Sequence, residues 1–201
     1  HSFPKRSSSD LQEKVQEALI CAKPGDTIRL QEGFYSFSDG LSLDVDNVKV
    51  IGAGMDKTVL SFANQQSGAQ GLLVTSSKVI LKDFAIEDAK GDALKVIGAD
   101  GIYMINLRTE WTGGPKSTNG AYGLYPVESK DVLIDGCVAM GASDAGIYVG
   151  QSENIIVIYL AVPFAWKWVH RSQDFGLSPP SLILSHVRQQ PSQQNIFVAV
   201  Y

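Results

Sequence analysis

The sequence predicts an all-β fold, a parallel β-helix of about five coils closed at its N-terminal end by an amphipathic helix. Three observations predict it. A Gly-led phrase recurs along the chain, each recurrence holds three short apolar runs, and no helical stretch separates those runs. The repeat is plainest between Gly123 and Val157, where GLYPVESKDVLIDG is followed by CVAMGASDA and then by GIYVGQSENIIVIY. The same template fits GLSLDVDNVKVIG from Gly40, GLLVTSSKVILKD from Gly71 and, with Ala for Gly, ALKVIGADGIYMIN from Ala93. The starts at 40, 71, 93, 123 and 146 are 31, 22, 30 and 23 residues apart. A period of about 20–30 residues indicates a solenoid.

The elements follow in order. Residues 1–9 are polar and read as an arm. From Asp10, Leu11, Val15, Ala18, Leu19 and Ala22 form one helical stripe. Ser9 and Asp10 suit the N-cap, and Pro24-Gly25 ends the helix. A solenoid end exposes apolar side chains and unpaired backbone, so this helix is expected to cover it.

Within each repeat unit the first run (Leu72-Leu73-Val74, Leu94-Lys95-Val96, Ile147-Tyr148-Val149) alternates with period two. The second run (Val79-Ile80-Leu81, Val132-Leu133-Ile134, Ile155-Ile156-Val157) does the same. A third run, Phe84-Ala85-Ile86 or Cys137-Val138-Ala139, completes a turn of three strands. Coils stacked about 4.8 Å apart then bury columns of Val, Ile and Leu. The leading Gly suits a corner where a Cβ would be crowded, and Ser76, Ser77, Ser152, Asn154 and Asn47 suit backbone bonding at turns.

Unit length varies mainly in the connection after the third run, which is long around FANQQSGAQ and in TEWTGGPKSTNGAY. Insertions in repeat folds gather on one face and often build a functional surface. From residue 158 the rhythm fails: the segment 158–201 has two Trp, four of the eight Pro and a Gln-rich patch. The chain therefore divides into residues 1–157, the helical domain with its cap, and an atypical tail, 158–201. A truncation or a shifted reading frame would account for such a tail.

Bulk properties exclude some partners. A net charge of −4 without clustered Lys or Arg argues against nucleic acid and anionic membranes. No apolar run reaches 18 residues, so no transmembrane segment is expected. A chain opening on His1 reads as a processed or excised piece whose targeting segment has been lost from view. Cys21 and Cys137 share no metal or redox spacing and read as two buried thiols, with one disulfide as the alternative.

The opening LQEKVQEALICAKPGDTIRLQEGFYSF, followed by units such as GIYVGQSENIIV, resembles right-handed parallel β-helix proteins of the pectin-lyase-like superfamily. The closest likeness is to bacterial NosD-like proteins with parallel β-helix repeats, over roughly residues 10–157. The resemblance implies a right-handed solenoid in an exported protein, periplasmic or extracellular. It does not fix an activity, since the superfamily spans lyases, polygalacturonases, epimerases and proteins without known catalysis.

Aligning the units places Ser42, Leu73, Lys95, Tyr125 and Tyr148 in one outward row on strand one. Asp92, Tyr122 and Asp144 fall at the corner before it, and Trp111 in the long insertion is expected to overhang the face. Aromatic faces stack on sugar rings and a cation neutralises a uronate. The expected function is therefore binding of an acidic polysaccharide through Tyr122, Tyr125, Tyr148 and Trp111, with or without lyase- or epimerase-like processing. Lys95 is the candidate catalytic base, provided its pKa is depressed, and a Tyr would serve on the same condition. Asp92 and Asp144 are candidate ligands for Ca²⁺, a cation needing about 6–8 oxygens. The alternative is a non-catalytic periplasmic scaffold or accessory protein of the NosD type, its Tyr and Lys being ordinary solvent-facing strand residues. No clustered acid triad is visible in the repeat, and His1, His170 and His186 all lie outside it.

Overall fold

The computed structural model describes residues 8–158, 187–189 and 196–199. One helix, α1 (Ser8–Ile20), precedes a run of parallel strands. The first coil contains β1 (Thr27–Arg29), β2 (Gly33–Ser36) and β3 (Leu41–Leu43). The next contains β4 (Lys49–Ile51), β5 (Thr58–Ser61) and β6 (Gln70–Val74), and the third β7 (Val79–Lys82), β8 (Ala85–Glu87) and β9 (Asp92–Ile97). Then come β10 (Asp100–Ile105), β11 (Arg108–Glu110) and β12 (Tyr122–Val127), followed by β13 (Lys130–Asp135), β14 (Val138–Met140) and β15 (Ala145–Val149). Beyond these five coils β16 (Glu153–Ile158) begins another.

The strands form three parallel sheets, each built from one strand per coil. The first sheet runs β3-β6-β9-β12-β15, the second β1-β4-β7-β10-β13-β16 and the third β2-β5-β8-β11-β14. This is the right-handed parallel β-helix expected from the repeat and the resemblance. In the segment 158–201, β17 (Val187–Gln189) pairs with β15 and β18 (Ile196–Ala199) pairs with β16, both in parallel. The remainder of that segment, with His170 and His186, lies outside the described residues.

Register explains the core. Leu41, Leu72, Leu94, Leu124 and Ile147 occupy one inward column of the first sheet. Val79, Ile102, Val132 and Ile155 occupy one in the second, and every one of these nine side chains is buried. Corners are stacked too. Ser129 accepts the Ala99 N–H at 3.4 Å and donates to the Val127 carbonyl at 2.9 Å. One coil on, Ser152 accepts the Ser129 N–H at 3.1 Å and donates to the Gly150 carbonyl at 2.7 Å. Each buried serine thus satisfies a turn in its own coil and an amide in the coil before it, which is the turn chemistry the sequence suggests.

The unit-leading glycine is a packing requirement. A Cβ on Gly71 would meet the Ala93 carbonyl oxygen at 2.7 Å, Ile86 at 3.0 Å and Phe62 at 3.2 Å. Two sheets converge at this corner and leave no room for a methyl.

Helix α1 closes the N-terminal end, with Val15 and Leu19 buried in the core and Ala18 exposed. The disulfide alternative is not realised, and one of the two thiols is not buried. Cys21 is an exposed free thiol just after the helix, and Cys137 is a free buried thiol beneath the second-to-third sheet corner. Burial pushes the Cys137 thiol up to about 12, so it is an inert core group.

Gly71→Ala is expected to lower stability by about 1–3 kcal/mol through overpacking. Urea denaturation should show this as a lower midpoint at unchanged slope. A wild-type midpoint would show that the corner relaxes freely.

Candidate functional site

The outer face of the first sheet brings together most of the residues singled out in the sequence. Ser42 pairs with Leu73, Leu73 with Lys95, and Lys95 with Tyr125. The Leu124–Ile147 pair carries the same register on to Tyr148. The row therefore climbs the solenoid axis as expected, one residue per coil.

The tyrosines form a closed cluster. Ring centroids lie 4.7 Å apart for Tyr122 and Tyr125, 4.5 Å for Tyr122 and Tyr148, and 5.2 Å for Tyr125 and Tyr148. The last pair is stacked at 28°, the arrangement the coil spacing imposes on aromatic side chains in adjacent strands. Lys95 extends from the coil before, its Nζ 5.0 Å from the Tyr125 centroid, within cation–π range. The cluster consumes its own ring faces: Tyr125 has Lys95 on one side and Tyr148 on the other, and Tyr148 is only 6% exposed. Tyr122 and Tyr125 remain half-buried.

The acids flank Tyr122 differently. Asp92 is level with Tyr122 and accepts its backbone N–H. Asp144 lies one position off that row, because Tyr122 pairs with Ala145, and it accepts the Tyr122 hydroxyl. Burial raises the Asp92 pKa, against the pull of Lys95 and the Tyr122 amide. The two acids stand two coils apart, roughly 10 Å, with Tyr122 between them. A Ca²⁺ ion bound at about 2.4 Å cannot be shared across that span. Among the described residues no group of three or more His, Cys, Asp or Glu is arranged to hold a metal.

Burial raises both phenols further. Tyr122 is pushed up to about 12, by burial first and then by the charge and hydrogen bond of Asp144. Tyr125 moves in the same direction, again chiefly through burial. These phenols are hydrogen-bond donors at neutral pH, the opposite of what a tyrosine base needs.

Trp111 does not overhang the face. It is 5% exposed, and its indole N–H donates to the Ala89 carbonyl at 2.7 Å. An indole at the first position after β11 continues the inward alternation of that strand, so it packs into the corner instead of reaching out. What flanks the face is the rest of the 111–121 loop. Asn119 holds it by donating to the carbonyls of Gly114 at 2.9 Å and Gly141 at 2.6 Å.

Two further features are hard to see in the sequence. On the outer face of the third sheet Arg108 gathers Glu110, Glu87 at 2.8 Å and Asp56 at 3.6 Å. Glu87 and Glu110 are register partners on adjacent coils. They are a close carboxylate pair, but the guanidinium occupies the space between them where a glycosidic bond would have to sit. On the second sheet Ile80, Tyr103, Leu133 and Ile156 form an outward apolar row. Tyr103, Leu133 and Ile156 of this row line a shallow depression of about 300 Å³ rimmed by Asp131 and Asn154, on a different sheet from the Tyr122–Tyr125–Tyr148 cluster. Aligning second runs as carefully as first runs would have revealed the row. The Arg108 cluster draws on three coils and has no local signature.

No protein-family model matches the chain, and no curated protein matches it in sequence. Solved structures do. An alginate lyase from Paenibacillus sp. str. FPU-7 aligns over 95% of this chain with 18% identity and a TM-score of 0.61. This chain spans 62% of that enzyme's length. A protein called a candidate glycosyl hydrolase, from Parabacteroides merdae ATCC 43184, aligns over 93% of this chain and 87% of its own, with 9% identity and a TM-score of 0.64. A pectin methylesterase from Yersinia enterocolitica aligns over 72% of this chain and 54% of its own, at 16% identity and a TM-score of 0.48. At these identities the first two likenesses establish one thing, that this chain has the fold of these β-helix proteins.

Proposed function

We propose that the chain is an exported protein that binds an acidic polysaccharide along the outer face of its first sheet, the sugar chain lying parallel to the solenoid axis. The observation that carries this reading is Lys95 at the foot of the tyrosine cluster. Its ammonium makes no ion pair within 4 Å among the described residues, and acts on Asp92 only at longer range. A uronate carboxylate is a natural counterion for it. Above Lys95, Tyr125 and Tyr122 offer half-buried phenols, and Tyr148 backs both rings. The stacked cluster presents ring edges, so sugar hydroxyls meet hydrogen-bond donors and acceptors more than open aromatic faces. The 111–121 loop flanks the row on the side where Asp92 and Asp144 lie. That the structurally similar enzymes include one named an alginate lyase is consistent with a uronate ligand.

Binding is better supported than catalysis. Raised phenol pKa values oppose a tyrosine base, which leaves Lys95 as the candidate for lyase- or epimerase-like chemistry. The non-catalytic scaffold of the NosD type is the rival that the following experiments separate.

Uronate oligosaccharides at about a hundred times Kd should stabilise the fold by roughly 2.7 kcal/mol. For a chain of this size that is a rise of roughly 5–10 °C in melting temperature. Lys95→Ala should weaken binding roughly 10- to 100-fold by removing a charge-assisted bond of about 1.5–3 kcal/mol. Tyr125→Phe, which keeps the ring and drops the hydroxyl, should weaken it less. Absence of any shift with alginate or pectin fragments, with or without Ca²⁺, sinks the binding reading and leaves the scaffold. Ultraviolet absorbance of a new C=C in the same mixtures separates a lyase from a binder.

The raised Tyr122 pKa predicts an alkaline signature. Folding favours the neutral phenol, so its contribution is whole below the ordinary phenol pKa near 10 and is lost as pH climbs through about 12. Tyr122→Phe removes that loss. Its melting temperature should fall less steeply than that of the wild type between pH 10 and pH 12, and parallel curves would refute the assignment.

A further inference from the structure

The outer face of the second sheet carries a charge pattern around its apolar row. Its outward positions on β7 are Ile80 and Lys82, with Lys78 at the bend just before the strand. On β10 they are Gly101, Tyr103 and Ile105, and on β13 Asp131, Leu133 and Asp135. Register stacks Ile80, Tyr103 and Leu133 in one row and Lys82, Ile105 and Asp135 in another. Lys78, Gly101 and Asp131 make a third, in which a Cβ on Gly101 would meet Lys78 at 3.7 Å. One coil thus presents two cations around an apolar residue, the next is neutral, and the third presents two carboxylates around another. The apolar positions run on to Ile51 on β4 and to Ile156 and Ile158 on β16.

This face has no cover that matches it. Among the described residues four large apolar side chains are prominently exposed, and two of them, Tyr103 at 44% and Ile156 at 41%, lie here. Its charges are only lightly engaged. Lys82 has Asp83 at 3.6 Å, a solvent-exposed pair of the kind that contributes little. Asn154 bonds Asp131 through Oδ1 at 2.9 Å, which leaves Oδ2 to a cation. Among the described residues Lys78 and Asp135 enter no ion pair.

We propose that this face pairs with the same face of a second copy of this chain, the two solenoids running in opposite directions about a two-fold axis along β10. That operation keeps position along the strand and inverts the order of coils, which makes an isologous contact. Lys82 then faces Asp135 of the second copy, Lys78 faces its Asp131, and Ile80 faces its Leu133. Tyr103 and Ile105 face themselves, and Ile51 faces Ile158. Lys49 meets Ile156, which its long aliphatic stem can cover while the ammonium stays at the rim. A two-fold along the solenoid axis would instead set lysines on lysines and carboxylates on carboxylates. The charges therefore select one arrangement, and burial of the apolar positions drives it. Facing sheets with aligned strands pack about 10 Å apart. Five strands by three residues is a small contact beside the roughly 800 Å² per partner of a standard interface, so the dimer is expected to be weak. None of this rests on sugar binding at the first sheet.

Light scattering over a concentration series reaching millimolar protein is expected to carry the wild-type mass from monomer toward twice that mass. Lys82→Asp and Asp135→Lys should each stay monomeric, because each sets like charges face to face twice across the two-fold. Mixed in equal amounts, the two variants should associate again, since every facing pair in the mixed dimer is then opposite in sign. Wild-type protein that is monomeric at every concentration overturns the proposal. So does either variant that dimerises as the wild type does, or a mixture that stays monomeric, because the contact then lies elsewhere. Should a variant lose the far-ultraviolet circular dichroism of the wild type, Tyr103→Lys, which sets two like charges together on the axis, is judged in its place. Monomer is expected of it, and wild-type dimerisation overturns the proposal.

Discussion

The structure depends on each coil landing in register on the one before it. That constraint is enforced mainly at the corners. Asn47, Lys78, Asp131 and Asn154 hold positive φ at the bend entering the second sheet, and Asp83 and Asn106 do so at the bend leaving it. Each non-glycine residue in this region costs on the order of 1 kcal/mol. The costs are offset between coils. Asn154 donates to Asp131 at 2.9 Å, and Asn106 donates to Asp83 at 3.1 Å. A strained residue in one coil is bonded by the strained residue of the next, so a slipped coil would leave both without partners. Ser129 and Ser152, at the same corner entering the second sheet, act in the same way by accepting a backbone amide from the coil before.

Register in the core dictates geometry outside it. Since inward residues must form columns, outward residues form rows at the same spacing, whether or not the rows suit each other. On the first sheet this places Lys95, Tyr125 and Tyr148 one above another. Rings held about 4.8 Å apart are close enough to stack on each other. That is why the cluster seals its own faces and presents its edges. It is also why the phenols lose solvent and become harder to ionise. The electrostatics of the site is a by-product of coil spacing.

The repeat, the three runs per coil and the inward columns were legible because each is carried by many residues repeating one signal. The row from Ser42 to Tyr148 was legible for the same reason. Single residues at corners were not. Asp144 stands at the corner before β15, one position off the level of Asp92 and Tyr122 because Tyr122 pairs with Ala145, and which contacts follow from that offset is not carried by the repeat. Trp111 carries every sequence mark of an exposed aromatic in an insertion. Only the continued alternation of β11 and the Ala89 carbonyl waiting beneath it bury the ring. Gln12 and Gln16 look like ordinary polar helix residues, because the Ser38 and Ser42 amides that donate to them are 26 positions away.

These limits bear on why a site arises where it does. The connection from the third sheet to the first is four residues between β8 and β9 and between β14 and β15, but eight between β5 and β6 and eleven between β11 and β12. At the corners bounding the second sheet, serine and asparagine bridges bind coil to coil where they occur, and the connection leaving that sheet is two residues in the coils that the Asn106–Asp83 bond joins. The third corner is crossed instead by bonds that a loop can carry with it, such as Asn119 to Gly114 and Gly141. Length varies most at this third corner, although the connection leaving the second sheet also lengthens, from two residues between β7 and β8 to six between β4 and β5. The third corner, the most variable of the three, borders the outer face of the first sheet, so its longer connections can build walls beside this face.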